Sequence, residues 1–326
     1  MKLWKIAALA AIPLLLVEAA LRIGGYGAPL WYRIDSQTGW SLRPNKSGWY
    51  REDGKRSWVS INRAGFRDEL HTLNKPEGTF RVAVLGDEYS EAMALPRQQT
   101  WWWRLGRELE SCLGTKVETL NFAVRGFGTA QESVLLETTA MRYRPDLVLV
   151  QFSGRDDVVQ NSIKLAPDRE RPFYRLDPKG GVRIDETFVV LPDFDRRMQT
   201  RWRLGEEILD HSRVFQVAWQ YLGARPFPDE ADAKALQAPA DVQWEAAWHI
   251  TEAILLQMRD FAVRNGARFV VVPAPALKAP GYAERRLGTF AQANVVRLLD
   301  TWSAEGHAAL AEAAAQQLCP RRPPAP

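Results

Sequence analysis

Cysteine is scarce in this chain: Cys112 and Cys319 are the two among 326 residues. A multiply bridged mini-scaffold is therefore excluded, and at most one disulfide can form within the molecule. Internal repeats are absent, which excludes a solenoid or propeller. No block of lysines and arginines resembles a nucleic-acid arm. The 43 basic and 39 acidic residues are interspersed as on a mixed solvated surface, although the sequence pI is near 9.1, so no nucleic-acid partner is expected. No run of acidic and amide residues has the spacing of a calcium or magnesium loop, and neither a resident metal nor another cofactor is expected. Hydrophobic residues make up 46% of the chain, enough for one large core, so a single domain with decorations is the natural organisation.

Long apolar runs are also few, and the longest lies at the start. Lys2 and Lys5 precede an apolar stretch from Ile6 to Val17, followed by Glu18 and Arg22. This is an export signal. The run is shorter than the roughly 20 residues a full span needs and nearer the core of a signal peptide. Cleavage after Ala19 is one alternative. An uncleaved anchor over residues 1–23 is another, because Glu18 and Arg22 can snorkel to the interface, and a buried cytosolic helix is the third. In the first two cases the lysines stay inside and the domain lies outside the cytoplasm. The expected location is the inner membrane, reached through the N-terminal helix, with the domain in the periplasm or cell exterior.

Residues 24–78 are rich in Gly, Trp and Arg with short alternating stretches, which predicts a strand-rich lead-in. Alternating strands and helices follow. Strands are predicted over Phe80 to Leu85, Val117 to Val124, Asp146 to Phe152, Ala267 to Val272 and Val295 to Leu299. Helices are predicted over Thr100 to Leu113, Thr129 to Tyr143, Trp244 to Arg264 and Ala304 to Leu318, the last capped by Ser303. This order implies an α/β domain over 79–319 with a parallel sheet covered on both faces and any site at the carboxyl ends of the strands. The pattern breaks over 158–240, where prolines and the Gly180–Gly181 pair predict an insertion or lid at the rim. Residues 320–326 form a proline-rich tail.

Four blocks carry chemistry. Gly86-Asp87-Glu88 follows the first buried strand, Asn121 to Thr129 (NFAVRGFGT) the second and Gly154-Arg155-Asp156-Asp157 the third, while Trp302 to His307 (WSAEGH) precedes the last helix. With Asn62 to Arg67 (NRAGFR) ahead of them, the chain resembles the SGNH/GDSL hydrolase superfamily, within it a group of exported proteins with an N-terminal anchor and a strand-rich lead-in. The resemblance implies a flavodoxin-like three-layer α/β/α sandwich and an ancestral ester or acyl hydrolase. In that chemistry a serine at the first turn attacks a carbonyl, a histidine near the C-terminus takes its proton, and backbone and asparagine N–H groups hold the oxyanion.

Carried over residue by residue, the resemblance leaves Gly126 as the one retained oxyanion donor. Glu88 stands at the nucleophile position, where attack on an ester would give an anhydride. Asp156 stands at the oxyanion asparagine position, replacing an amide donor with a charged acceptor. Thr301 stands at the histidine position, and neither it nor Asp300 replaces an imidazole. Losing nucleophile or base alone can cost on the order of a million-fold in turnover. The resemblance therefore implies a catalytically impaired copy that binds an acyl ester or acylated glycan as a component of cell-envelope or exopolysaccharide metabolism. The alternative is an active esterase or O-acyltransferase with relocated groups, Ser90 or His307.

Three further readings attach to these residues. Glu88 and Asp156 with Asp87 behind them are crowded carboxylates, so one stays protonated or a cation joins them; as a glycosidase pair they lack any supporting cleft. Trp101, Trp244 and Trp248 fall on core stripes, whereas Trp40, Trp49 and Trp58 are candidates for contact with a membrane surface. In the implied fold the helices that carry Cys112 and Cys319 lie side by side and run the same way, which predicts a disulfide between them.

Overall fold

The computed structural model describes residues 3–27, 29–52, 54–153, 155–178, 181–196, 211–223, 238–239, 241–273, 282, 286–288 and 303–319. A helix α1 (Leu3–Ile23) opens the chain, followed by two antiparallel hairpins, β1 (Tyr32–Asp35) with β2 (Gly39–Leu42) and β3 (Ser47–Glu52) with β4 (Lys55–Ser60). These are the strand-rich lead-in, and Trp31, Leu42, Val59, Ile61 and Met93 form its own small core. Among the described residues no helix is long and apolar enough to cross a membrane.

The domain proper is a four-stranded parallel sheet of β5 (Thr79–Leu85), β6 (Lys116–Asn121), β7 (Leu147–Phe152) and β10 (Arg268–Pro273), in the spatial order β10-β7-β5-β6. Numbered within the domain, that order is 2-1-3-4, the flavodoxin-like arrangement, with its crevice at the carboxyl ends of β5 and β7. The helices α2 (Glu88–Glu91), α3 (Trp101–Leu113), α4 (Thr129–Thr138), α5 (Arg213–Gly223), α6 (Val242–Arg264) and α7 (Ala304–Leu318) complete the described elements used below.

Side chains of successive strand residues point to opposite faces, and here both faces are covered. Val82, Val84, Leu147, Leu149, Val270 and Val272 pack against α3 and α7 through Trp101, Leu105, Leu109, Leu310 and Ala314. Ala83, Leu85, Val148, Val150, Phe269 and Val271 pack against α4 and α6 through Ala130, Leu136, Trp248, Ile254 and Met258. The result is the three-layer sandwich the alternation of elements implied. Trp101, Trp102 and Trp248 are fully buried.

Inside the 158–240 stretch, β8 (Phe173–Leu176) and β9 (Val182–Asp185) form a third hairpin, and Tyr174 donates to Ser133 Oγ of α4 at 3.1 Å. The predicted strand Val295 to Leu299 lies outside the described residues. Helix α7 starts where predicted, with Ser303 Oγ accepting from Gly306 N at 3.0 Å.

Cys112 and Cys319 are joined, their Cα atoms 5.9 Å apart. The bridge ties the carboxyl ends of α3 and α7 and closes a loop of 207 residues. In the chain-entropy account, cross-linking so long a loop restricts the unfolded state by up to about 5 kcal/mol. Cys112→Ser with Cys319→Ser, or reduction, should therefore lower unfolding stability by about 2 to 5 kcal/mol. Urea denaturation with and without reductant measures this, and equal midpoints would contradict it.

Candidate functional site

The crevice is built by two turns. After β5 the chain passes through Gly86 into Asp87, which caps α2 by accepting from Tyr89 N at 2.8 Å. Gly86 is required by a close approach, since a Cβ there would stand 2.6 Å from Gln151 Oε1 and 2.9 Å from Ser90 Oγ. Gln151, fully buried near the end of β7, accepts from Asp87 N at 3.2 Å and from Ser90 Oγ at 3.0 Å. It therefore clamps the first turn to the neighbouring strand. A glutamine closing the apolar run Leu-Val-Leu-Val was the sequence signal for this clamp.

The second turn follows β6. Gly126, at φ +73°, adopts the left-handed backbone that glycine tolerates best, and a Cβ on it would meet the Trp40 ring at 3.4 Å. Its N–H donates to Glu88 Oε2 at 3.0 Å. Its carbonyl accepts from Arg171 Nη1 at 3.1 Å. Thus the group that the resemblance assigns to an oxyanion is bonded to the side chain at the nucleophile position.

The turn is held from outside the sheet. Trp40 of β2 donates its indole N–H to Arg125 O at 2.9 Å, and the buried Arg171 lies 4.6 Å over the same ring. Trp40 is thereby part of the crevice scaffold. The expectation that it contacts a membrane surface is corrected, because its polar atom and ring face are both engaged by the protein.

Buried charge surrounds the first turn. Asp87 is pushed well above the usual carboxylate range by burial, then by the negative charges of Glu88 and Asp157, with hydrogen bonds to Ser153 and from Tyr89 N pulling partly back. Burial and like charge thus favour the protonated form of this carboxyl. Asp157 is buried and accepts from Thr129 Oγ1 and Ser153 N, both at 2.6 Å. Its carbonyl accepts from Thr251 Oγ1 at 2.8 Å, so the π-helical turn Arg155–Val159 is pinned to α4 and α6. Asp156 lies in that turn, but its side chain is outside the described residues. Thr301, Asp300 and Trp302 lie outside them as well, so the structure unites Glu88 with Gly126 and does not locate the other two assigned positions. Among the described residues no cluster of His, Cys, Asp and Glu could hold a metal ion.

Ser90 and His307 are both described and both buried. The Ser90 hydroxyl donates to Gln151 Oε1 and accepts from Trp101 Nε1 at 2.9 Å. His307 Nδ1 accepts from Trp101 N at 3.0 Å, so the imidazole caps α3, and its ring stacks on Tyr89 with centroids 4.4 Å apart. Burial, then the cations Arg67, Lys55 and Arg104, hold its pKa down to about 3. The ring is neutral at physiological pH, with its proton on Nε2 and its accepting nitrogen occupied. Both groups serve the packing of α3.

Glu91, which sequence reasoning did not single out, joins the crevice to the lead-in. It is fully buried, accepts the Tyr32 hydroxyl of β1 at 2.7 Å and accepts from Arg125 N in the second turn. Arg125 in turn donates to Tyr50 at 2.9 Å and pairs with Glu52 at 2.8 Å. The motif Asn62 to Arg67 serves the same end: Asn62 Oδ1 accepts from Ala64 N and Phe66 N, and the buried Arg67 donates to Glu91 O and Leu95 O.

Burial raises the Glu91 carboxyl to about 7, against the hydrogen bonds from Tyr32 and Arg125 N and the charges of Arg125 and Arg67. The folded carboxyl holds its proton more tightly than the unfolded one, so folding takes up a proton in the pH range between the usual 4.5 and about 7. Stability should fall by roughly 3 kcal/mol as pH rises through that window. Glu91→Gln should flatten this slope in urea titrations, and an unchanged slope would contradict the assignment.

No family model matches the sequence, and no curated protein matches it. Solved structures that match the chain include a lipolytic protein, a lipase and an esterase. A protein assigned to the G-D-S-L lipolytic family from Desulfitobacterium hafniense DCB-2 is 12% identical over 73% of this chain and 99% of its own, with a TM-score of 0.30. The lipase Lip_vut3 from a goat rumen metagenome is 13% identical over 74% and 99%, with a TM-score of 0.31. The acetyl xylan esterase AlAXEase is 13% identical over 73% and 100%, with a TM-score of 0.30.

Proposed function

We propose that this chain is an SGNH/GDSL-type scaffold whose ester-hydrolysing chemistry has been lost. It binds an acyl ester or an acylated glycan as a membrane-held component of cell-envelope or exopolysaccharide metabolism. One observation carries the reading: Glu88 Oε2 accepts from Gly126 N at 3.0 Å. In an acyl-transfer site that N–H stabilises the oxygen that becomes negative at the transition state. Here a carboxylate of the chain itself occupies it, and a substrate carbonyl polarised there would develop charge against an anion. A ligand hydroxyl or amide N–H could instead donate to Glu88 beside the same turn, which suits binding without turnover.

Two observations weigh against relocated catalysis. Ser90 Oγ is engaged by Gln151 and the Trp101 indole, and His307 Nδ1 by Trp101 N. A neutral imidazole whose acceptor nitrogen is engaged offers no general base. Membrane placement is supported by α1, whose side chains from Ile12 to Val17 are exposed, including Leu15 at 66% and Leu16 at 65%. An apolar stretch exposed over more than one helical turn is suited to lipid.

A fluorophosphonate probe should leave the full chain unlabelled, as read by intact mass. Stoichiometric labelling would favour the esterase. Glu88→Ser should leave hydrolysis of a small acetyl ester at background, since no imidazole is poised to take the proton. Turnover well above background in that variant would mean that the missing base lies elsewhere and that the loss of chemistry is misread.

A further inference from the structure

The outward face of the β3–β4 hairpin carries an arrangement that the crevice does not use. Register pairs Trp49 with Trp58 and Arg51 with Arg56 across the two strands. Each pair member lies two residues from the next on its strand, so all four side chains share one face. The opposite face is turned to the body: Gly48, Ser57 and Val59 are buried, and Ser57 Oγ donates to Met93 O. The two indoles meet edge to face at 5.5 Å and remain 37% and 55% exposed.

Two features of this face are unfavourable in water. An exposed tryptophan pair leaves a large apolar area solvated. Two arginines directly opposite one another repel. Among the described residues each guanidinium lies over a ring rather than beside a carboxylate, Arg56 at 4.2 Å over Trp49 and Arg51 at 5.3 Å over Tyr26. Tyr26, itself 60% exposed, follows α1 by three residues. The face therefore adjoins the end of the apolar helix.

We propose that this face docks on an anionic phospholipid surface, the two indoles at headgroup level and Arg51 and Arg56 against lipid phosphates. The proposal rests on the membrane-held reading above and deepens it. Tryptophan and tyrosine favour the interface between acyl chains and water because one edge of each ring is apolar and the other polar. Arginine matches phosphate geometry with paired donors. The apolar stretch of α1 is short for a span, and a weak membrane anchor becomes durable when a second, electrostatic contact is added. Docking would also fix the lead-in against the bilayer and turn the crevice, held through Arg125 to Tyr50 and Glu52 of β3, in one direction relative to the membrane.

The test reconstitutes the full chain in phosphatidylcholine vesicles with or without phosphatidylglycerol, some carrying brominated acyl chains that quench nearby indoles. Flotation on a density gradient reads the membrane-held state. Quenching, compared between the native chain and Trp49→Ser/Trp58→Ser, reads docking of the hairpin. The native chain should float in both lipids and show extra quenching only with phosphatidylglycerol. That excess should vanish in the tryptophan double variant and at high salt. Arg51→Gln/Arg56→Gln should reduce docking by roughly thirtyfold, from about fivefold per arginine near an anionic surface. All four substitutions fall on an outward face, and unchanged thermal midpoints confirm folding. A chain that floats with identical quenching in native and variant forms overturns the hairpin contact alone. A chain that does not float overturns the membrane-held reading with it.

Discussion

The crevice depends on how the backbone of one residue is held. Gly126 directs its N–H to Glu88 and its carbonyl to Arg171, so both polar groups of a left-handed turn are satisfied by side chains from elsewhere in the chain. The first comes from the β5 turn and the second from the stretch ahead of β8. Trp40 of the lead-in adds a third restraint through Arg125 O. Three segments distant in sequence thus converge on a turn that could not hold this geometry alone. A buried backbone group without a partner is costly, and the same physics makes the Glu88 contact difficult for a ligand to displace.

The lead-in is therefore part of the site. Its hairpins supply Tyr32 to the buried Glu91, Trp40 to the second turn, and Tyr50 and Glu52 to Arg125. Arg67, fully enclosed, fastens the end of α2 and the segment after it through the carbonyls of Glu91 and Leu95. Glu91, its carboxyl raised to about 7 by burial, sits at the centre of this junction. Titration of this carboxyl links the stability of the junction to pH.

Buried acids in this molecule are handled in two ways. Asp157 is surrounded by donors, from Thr129 and from the Ser153 backbone. Asp87, with Glu88 and Asp157 nearby, is instead pushed toward its neutral form by burial and by their charge. The carboxylates that crowd Asp87 are Glu88 and Asp157, while the Asp156 side chain expected among them lies outside the described residues. Enclosure is the first cause of the raised Asp87 pKa, ahead of the neighbouring negative charges.

Local pattern by itself determined most of the architecture. Apolar runs such as Leu147 to Val150, helical stripes such as Trp101, Leu105 and Leu109, and the serine cap at Ser303 specify strands, helices and their order, because each depends only on neighbours in the chain. The order of parallel elements then brought Cys112 within reach of Cys319. The presence of Glu88 at the turn after the first buried strand was equally plain in the sequence. Only the tertiary structure decided where that carboxylate points, that Trp40 belongs to the crevice and not to a lipid surface, and that Ser90 and His307 are absorbed by Trp101. It also decided that Glu91 and Gln151, ordinary in sequence, are the clamps. Those outcomes depend on which distant groups meet in a closed space, where desolvation makes every polar atom seek a partner, and no local pattern carries that information.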